Sequence, residues 1–284
     1  MRFLLIALSL MMNTDAHIYE QLIIKHKSDT IEQVHREDLS FTSFDFEIVD
    51  ISRMEEFYER INDAVFQAPT NATLDEQGNI IGEKKGYKVD KYALYERLQE
   101  FYYHDAIGII EVPKQTLFPK VTSELLAHVN QHEIANYTTY YKTKHSERSH
   151  NIFLATEAIN NTVVFPGEQF SFNQVVGERT AEKGYKRAPV IVKGELSEDI
   201  GGGICQVSST LFNAVNLRGV QMIERYSHSK EVPYVPPGKD ATVSWWGPDF
   251  IFKNNYKEPL LIRAFAENGQ IDIQIFAPFE KTDV

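Results

Sequence analysis

The sequence predicts an α+β protein with two domains, and three observations support this prediction. The length of 284 residues suits one large domain or two of ordinary size. Residues 30–125 read as strand, helix, loop, helix and strand, an order typical of a small α+β module. After a polar stretch that begins near residue 130, short strands surround a helix that carries the single cysteine. We therefore predict domains at 30–125 and 131–280, the second with a mainly antiparallel sheet.

Composition and charge narrow the classes of function. The chain has 29 Lys and Arg against 40 Asp and Glu, which argues against a nucleic-acid partner because phosphate binding needs clustered basic residues. The single cysteine excludes an internal disulfide, a four-cysteine zinc site and an iron–sulfur cluster. The histidines show no HExxH pair or other ligand spacing. We therefore expect neither a metal nor a cofactor.

The first 16 residues have the layout of a signal peptide. Arg2 supplies a positive charge, residues 3–12 are apolar, and Thr14 and Ala16 are small residues at positions −3 and −1 of a cut. The apolar run is too short to span a bilayer, which needs roughly 20 residues. A buried N-terminal strand or helix and an uncleaved anchor are the alternatives. We expect an extracellular or wall-associated protein with no transmembrane span.

Hydrophobic periodicity places the elements of the first domain. Apolar residues at helical spacing from Met54 onwards predict a helix with one buried face. Alternation along residues 41–49 predicts a strand, and the polar, turn-rich segment 71–86 predicts a hairpin or loop. The predicted elements are strands within 17–50, a helix over 54–66, a loop or hairpin over 71–86, a helix from 89 and a strand over 107–112.

The second domain begins in a polar segment, residues 131–149, which reads as a solvated connection that could include a strand at 137–141. Ser149 could then cap a helix that carries Ile152, Ala155 and Ile159. Pro166-Gly167 fits a turn between two strands. The predicted strands that follow the helix are 162–165, 169–172 and 188–192.

The segment from Gly201 to Ala214 is the most informative part of the chain. Ile204, Val207 and Leu211 recur at helical spacing after three glycines, whose backbone can approach another group closely. Cys205 would lie in the first helical turn, where free N–H groups and the helix dipole favour a thiolate. The alternative is a small buried apolar residue, a common role of free cysteine.

A thiolate nucleophile needs a base and a group that orients the base. Residues 222–228 read as a strand that ends at His228, and residues 240–246 read as the returning strand. Reflection about Tyr234 sets residue 228 opposite residue 240, so Asp240 could hold the His228 imidazole. Cys205, His228 and Asp240 are therefore the candidate catalytic triad, although a lone histidine is more often structural.

Several neighbours of this triad are candidates for substrate binding. Gln206 could stabilise an oxyanion, and Ser208 could donate a hydrogen bond, although mid-helix hydroxyls commonly bond their own backbone. Arg225 and the pair Glu178-Arg179 could form ion pairs or bind a carboxylate. On a strand Trp245 and Trp246 would point to opposite faces, so one could stack on a sugar. The substrate-binding candidates are Gly202, Gly203, Gln206, Ser208, Arg225 and Trp246.

From about residue 136 to 276 the sequence resembles the VanW-like family of exported bacterial proteins. The glycine–cysteine block 201–211 is the most specific match, and other pieces follow in the family's order. These pieces are residues 165–172, 184–185, 225–229, 238–241 and 249–250. Residues 30–125 are similar, through 81–90 and 119–122, to the peptidoglycan-binding module that often precedes this domain.

The resemblance implies a cell-envelope protein that binds or modifies peptidoglycan, in a family associated with glycopeptide resistance. Two classes of function remain open. The first is a thiol enzyme that performs acyl transfer or amide hydrolysis on stem peptides, since the order Cys205, His228, Asp240 resembles the transglutaminase-like and papain-like arrangement. The second is a non-catalytic wall-binding or assembly factor in which the glycines only introduce a helix.

Overall fold

A computed structural model describes residues 21–43, 46–104, 108–192 and 195–279. The fold is a mixture of helices and small, mostly antiparallel sheets, which confirms the predicted α+β class. Among these described residues, no helix is long and apolar enough to cross a bilayer. The signal peptide predicted at residues 1–16 lies outside the described residues.

The strands come mostly in short antiparallel pairs. In chain order they are β1 (Gln21–His26), β2 (Asp29–His35), β3 (Ser40–Ser43), β4 (Phe46–Val49), β5 (Thr73–Leu74), β6 (Ile80–Ile81), β7 (Gly86–Val89), β8 (Ile109–Glu111), β9 (Lys114–Leu117), β10 (His132–Tyr140), β11 (Thr162–Val164), β12 (Gln169–Ser171), β13 (Arg187–Val192), β14 (Glu195–Ile200), β15 (Val220–Glu224), β16 (Ile251–Asn254), β17 (Leu260–Glu267) and β18 (Gln270–Ala277).

The α-helices are short, and a 3-10 helix, Arg36–Leu39, precedes β3. In chain order the α-helices are α1 (Ile51–Val65), α2 (Lys91–His104), α3 (Ser123–Val129), α4 (Ser146–Ile159), α5 (Phe172–Val176) and α6 (Ile204–Ala214). By their contacts, the described residues form two compact units, one of 21–71 with 83–120 and one of 72–82 with 121–279. The domain bounds expected from the sequence stay a prediction.

The first unit has a three-stranded sheet in which β1 pairs antiparallel with β2 and parallel with β8. Helix α1 begins where the Asp50 carboxylate accepts a hydrogen bond from the Ser52 N–H, at 2.9 Å. Its buried stripe of Met54, Phe57 and Ile61 is the one that the periodicity predicts. These side chains pack with the sheet and α2 into one apolar core.

The strand predicted over 41–49 is wrong in its extent, because the segment forms two strands, β3 and β4, that pair with each other. Alternation of apolar and polar residues in the sequence continues from one strand into the next, so periodicity alone does not reveal the reversal. The predicted hairpin at 71–86 exists as β5 and β6. It belongs to the second unit, where Leu74 joins an apolar cluster with Leu126 and Leu261.

The second unit is built on a four-stranded antiparallel sheet in the order β10-β18-β17-β11. Strand β17 is covered on both faces. Its side chains alternate, so that Ile262 and Ala264 face the main core, with α4 and α6, while Leu261 joins the cluster with α3. The sheet thus provides the rigid support on which α6 is held.

Three predictions about this unit are corrected. The connection at 131–149 is mostly ordered structure, since β10 occupies 132–140. This strand lies at the edge of the sheet and carries exposed polar residues. Helix α4 begins before Ser149, whose hydroxyl donates to the His145 carbonyl at 2.9 Å. Strand β15 ends at Glu224, and the predicted strand 240–246 is reduced to a single bridge between Tyr226 and Thr242.

Candidate active site

Three consecutive glycines lead into α6. Gly201 and Gly203 adopt φ values of 87° and 110°, a left-handed backbone that residues with a side chain rarely adopt. A Cβ on Gly202 would come within 2.5 Å of the Ala188 carbonyl oxygen. The chain therefore turns sharply against β13 and enters the helix with Cys205 in its first turn.

The Cys205 sulfur lies against the segment that follows Asp240. The Val243 N–H donates to the sulfur at 3.5 Å, the thiol can donate to the Val243 carbonyl at 3.4 Å, and the Thr242 hydroxyl lies 3.8 Å away. The residue is half-buried and lines a cleft of about 1360 Å³. The sulfur thus has a hydrogen-bond acceptor beside it as a thiol and a donor beside it as a thiolate, and the residue borders the cleft.

His228 contacts Asp240 and lies near the Cys205 thiol. Its Nδ1 lies 2.7 Å from Asp240 Oδ2, and the same oxygen accepts the His228 backbone N–H at 2.6 Å. The imidazole and the Cys205 thiol line the same cleft and lie close enough to shift each other's pKa. The His228 side chain is 6% exposed, and its partner carboxylate is 9% exposed. The bridge between Tyr226 and Thr242 has the register that sets residue 228 opposite residue 240.

The electrostatics of the triad favour a thiolate next to an imidazolium. Burial raises the pKa of Cys205, but hydrogen bonds from His228 and the Val243 N–H, with the His228 charge, lower it further than burial raises it. Burial lowers the pKa of His228, and the contacts with Cys205 and Asp240 more than reverse that shift. The Asp240 pKa is lowered overall, because its hydrogen bonds with His228 outweigh burial.

Hydroxyls of α6 hold the Asp240 segment in place. The Ser208 hydroxyl donates to the Ala241 carbonyl at 2.6 Å, and the Ala241 N–H donates to the Ser209 hydroxyl at 2.9 Å. On the other side, the Arg225 Nε donates to the Asp240 carbonyl at 2.7 Å. The segment that contacts the sulfur is therefore fixed by side-chain bonds in the absence of a sheet ladder.

These pKa directions predict how the thiol responds to pH. The rate of alkylation of Cys205 should rise with an inflection below the value of about 8.5 that is usual for a free thiol, because the thiolate is stabilised. In His228→Ala the inflection should move to higher pH, since that variant loses the hydrogen bond and the positive charge. Iodoacetamide labelling across pH 4–10 measures both. A thiol that reacts only after denaturation would contradict the prediction.

Comparisons with known proteins place the chain in a family. The profile described as "VanW like protein" matches residues 147–276. The uncharacterized protein YoaR of Bacillus subtilis (strain 168) is 48% identical over 258 residues, which are 91% of this chain and 85% of YoaR. The chain belongs to the VanW-like family. The vancomycin B-type resistance protein VanW of Enterococcus faecalis (strain ATCC 700802 / V583) is 31% identical over 132 residues, 45% of this chain and 48% of that protein. No solved structure matches significantly.

Two of the predicted substrate-binding residues of the VanW-like domain line the cleft and are accessible to a ligand. Gly203 borders the cleft beside Cys205, and Trp246 stands on its wall with 88% of its surface exposed. Trp245 and Trp246 lie in a turn instead of a strand, with ring centroids 6.1 Å apart, so both are accessible from the same side. The expectation that one of them packs inside is therefore wrong.

The other predicted substrate-binding residues have structural partners. The Gln206 amide donates to Thr139 Oγ1 and to the Tyr140 carbonyl, both at 3.0 Å, so its two N–H groups are already used. Ser208 is fully buried. Gly202 is also buried, with its backbone against β13. Arg225 bonds the carbonyls of Asp240 and Gly238 and does not line the cleft. Gln206 lines the cleft with its N–H groups occupied, whereas Gly202, Ser208 and Arg225 lie behind the cleft wall.

Sequence reasoning missed Arg148 and Asn151, both on α4. The Asn151 side chain is buried and bonds the Lys186 backbone and the Gly202 carbonyl, at 2.8 and 3.0 Å, so it fixes the glycine turn. Arg148 lines the cleft. A signal existed, because Arg148 is four residues before Ile152 and thus on the buried face of the helix.

Among the described residues no three His, Cys, Asp or Glu side chains are grouped as a metal site would require.

Proposed function

We propose that the chain is a thiol-dependent enzyme of the bacterial cell envelope that transfers or hydrolyses acyl groups of peptidoglycan stem peptides. The observation that carries this proposal is that Cys205 and His228 line the same large cleft while the His228 Nδ1 lies 2.7 Å from Asp240 Oδ2. A nucleophile, a base and an orienting carboxylate in this order are what acyl transfer requires.

The proposed reaction has two steps. The Cys205 thiolate attacks the carbonyl carbon of an amide, a C–S bond forms, the C–N bond breaks, and the leaving amine takes the proton of the His228 imidazolium. A water molecule or an acceptor amine then gives its proton to His228 and attacks the thioester, which releases the acyl group and restores the thiolate. Asp240 keeps the Nδ1–H of His228 directed away from the sulfur throughout.

The developing oxyanion has a donor in the helix itself. The Cys205 N–H lies in the first turn of α6, where no intrahelical carbonyl is available, and it bonds no acceptor among the described residues. The α6 dipole adds a partial positive charge at the same end. Because the Gln206 N–H groups are occupied, the backbone supports this role better than the side chain predicted for it.

Three observations support a peptidoglycan substrate. The family resemblance is to exported envelope proteins, and one relative is named for vancomycin B-type resistance. The cleft of about 1360 Å³ is larger than a site for one small molecule requires. Trp245 and Trp246 offer accessible aromatic faces on its wall, which suit stacking on a sugar ring.

The test is incubation of purified muropeptides with the wild type, Cys205→Ala and Cys205→Ser. The wild type is expected to change the muropeptide masses, by the addition of water for hydrolysis or by the exchange of an amine for transfer. Both variants should leave the masses unchanged, because each removes the nucleophile. Liquid chromatography with mass spectrometry measures the products.

A control for folding is Ser229→Ala, which alters an exposed residue next to His228 and should retain activity. Unchanged masses with the wild type, together with retention of the protein on sacculi, would support the wall-binding alternative instead. Equal activity of Cys205→Ala and the wild type would exclude the cysteine mechanism.

The proposed function places the protein outside the cytoplasmic membrane. The layout of residues 1–16 supports export, with a mature chain that begins near His17. N-terminal sequencing of the protein recovered from the medium and the wall fraction tests this. An intact Met1 in membrane material would indicate an uncleaved anchor, and recovery only from the cytoplasm would contradict export.

A further inference from the structure

Among the described residues, the terminal nitrogens of the Arg179 guanidinium are buried without a hydrogen-bond partner. The group lies 5.8 Å from the centre of the Phe172 ring and lines the cleft that holds Cys205. A cation whose two buried terminal nitrogens leave four N–H donors unused is costly unless an anion satisfies it.

Arg148 brings a second guanidinium to the same cleft from α4. Its Nη2 donates to the side-chain Oε1 of Gln206 at 2.7 Å, a neutral acceptor that leaves the positive charge uncompensated. Burial lowers the pKa of both Arg148 and Arg179, which shows how far the two cations are removed from water. Gln206 thus positions one guanidinium without neutralising it.

The glycines before Cys205 bring both arginines close to the sulfur. A Cβ on Gly201 would lie 3.2 Å from the Arg179 Cβ, and a Cβ on Gly203 would lie 2.8 Å from the Arg148 Cγ. The two aliphatic stems therefore pack on either end of the turn that delivers Cys205. Arg148, Arg179 and Cys205 all line the same cleft.

The acidic residues of the cleft do not neutralise these cations. Glu178 and Asp199 line the cleft, but within the described ranges neither forms an ion pair with Arg148 or Arg179. Of the two roles predicted for Glu178-Arg179, ion pairing or carboxylate binding, no ion pair of either residue is found in the described ranges. Two desolvated guanidinium groups without a carboxylate partner leave room for a carboxylate supplied by a ligand.

We infer that Arg148 and Arg179 form a carboxylate-binding subsite beside Cys205, which selects acyl substrates that carry a carboxylate near the carbonyl attacked. This inference rests on the proposed function and specifies the substrate class of the same site. The planar forks of two guanidinium groups match the two oxygens of a carboxylate. A peptide with a free carboxylate would be held there, whereas its amidated form would leave both cations unsatisfied.

Two alkylating agents of equal shape test the subsite without knowledge of the natural substrate. Iodoacetate and iodoacetamide react alike, since a C–S bond forms and iodide leaves, and only iodoacetate carries a carboxylate. The measured quantity is the ratio of the two rate constants at Cys205, divided by the same ratio for glutathione. In the wild type this normalised ratio should exceed one.

In Arg179→Gln and in Arg148→Gln the normalised ratio should fall about tenfold, the effect of one lost charge-assisted hydrogen bond. Arg179→Lys should retain part of it, because the charge is kept without the fork. The matched control is Arg218→Gln, an exposed arginine outside the cleft, which should retain the wild-type ratio. Near-ultraviolet circular dichroism establishes that each variant is folded.

A ratio that stays at the wild-type value in both glutamine variants would overturn the inference. Equal slowing of both reagents would also overturn it, because the arginines would then act only on the thiolate. If Cys205 reacts with neither reagent, the proposed function fails. The carboxylate-binding subsite is then tested by ligand binding to the Cys205→Ser variant. In Cys205→Ser, N-acetylalanine, which has a free carboxylate, should raise the melting temperature, and N-acetylalanine amide should not. In the double variant Cys205→Ser/Arg179→Gln, the two compounds should have the same effect on the melting temperature. No difference between the two compounds would overturn the inference independently of the thiol.

Discussion

Replacement of His228 by alanine is expected to lower the rate of the proposed reaction by about 10⁶-fold, as loss of the base does in a protease with a triad. The double variant His228→Ala/Asp240→Ala should be hardly slower than His228→Ala. The reason is that Asp240 acts on the reaction through the imidazole, whose Nδ1 lies 2.7 Å from its Oδ2. Without the imidazole, the carboxylate has nothing to orient.

The single variant Asp240→Asn separates the charge from the shape. Asparagine is nearly isosteric with aspartate and retains a side-chain oxygen that can accept the His228 backbone N–H. In the wild type this N–H donates to Asp240 Oδ2 at 2.6 Å. The fold should therefore persist, while the reaction slows because the imidazolium loses its counter-charge. Rates from a single-turnover assay on muropeptides measure all three variants.

A matched histidine outside the site gives the control for this series. His128 is half-exposed and does not line the cleft, so His128→Ala should retain the wild-type rate. Full activity in Asp240→Asn would remove Asp240 from the mechanism, although a Cys205–His228 pair could still act. Full activity in His228→Ala as well would favour the wall-binding alternative.

The substitution Gly202→Ala should destabilise the second unit by about 3 kcal/mol, at the upper end of what overpacking usually costs. The added methyl group would lie 2.5 Å from the Ala188 carbonyl oxygen and 2.7 Å from the Pro189 carbonyl oxygen. Both contacts are with backbone, which cannot rotate away as a flexible side chain can. The turn before Cys205 must shift, so the alkylation rate of the thiol should change together with the stability.

Urea unfolding followed by tryptophan fluorescence measures this effect on the correct unit, since both tryptophans, Trp245 and Trp246, belong to it. The control is Gly167→Ala, because Gly167 has a φ of 76° but open space around its Cβ position. That variant should lose only the conformational preference, about 1 kcal/mol. Equal losses in the two variants would show that the close approach at Gly202 has no energetic role.

Local patterns in the sequence were sufficient where the chain makes its own contacts. The periodicity of Ile204, Val207 and Leu211 predicted α6, and the preceding glycines placed Cys205 in its first turn. The stripe of Met54, Phe57 and Ile61 predicted α1 within a few residues. Reflection about Tyr234 set residue 228 opposite residue 240, because a short hairpin-like return fixes pairing by sequence distance alone.

The same reasoning failed where distant segments decide the structure. Residues 132–140 read as a polar linker, yet they pair with β18 more than a hundred residues later. Trp245 and Trp246 read as a strand, but hydrogen bonds within the Ser244–Pro248 turn expose both. Ser208 read as a donor to substrate, and its hydroxyl is instead consumed by the Ala241 carbonyl. The errors at 132–140 and Ser208 concern hydrogen-bond partners from distant segments, whereas the error at the tryptophans comes from a local turn that residue alternation does not reveal.

The sequence by itself determined the α+β class, the helix that carries Cys205 and the pairing of His228 with Asp240, because periodicity and short-range register are local properties. Only the tertiary structure decided which polar side chains are free to meet a ligand. Gln206 and Ser208 are occupied by backbone partners, whereas Arg148 and Arg179 reach the cleft without a carboxylate. The physical reason is that burial and hydrogen-bond satisfaction depend on segments brought together from α4, α6 and the loop before β16, and no local pattern encodes that meeting.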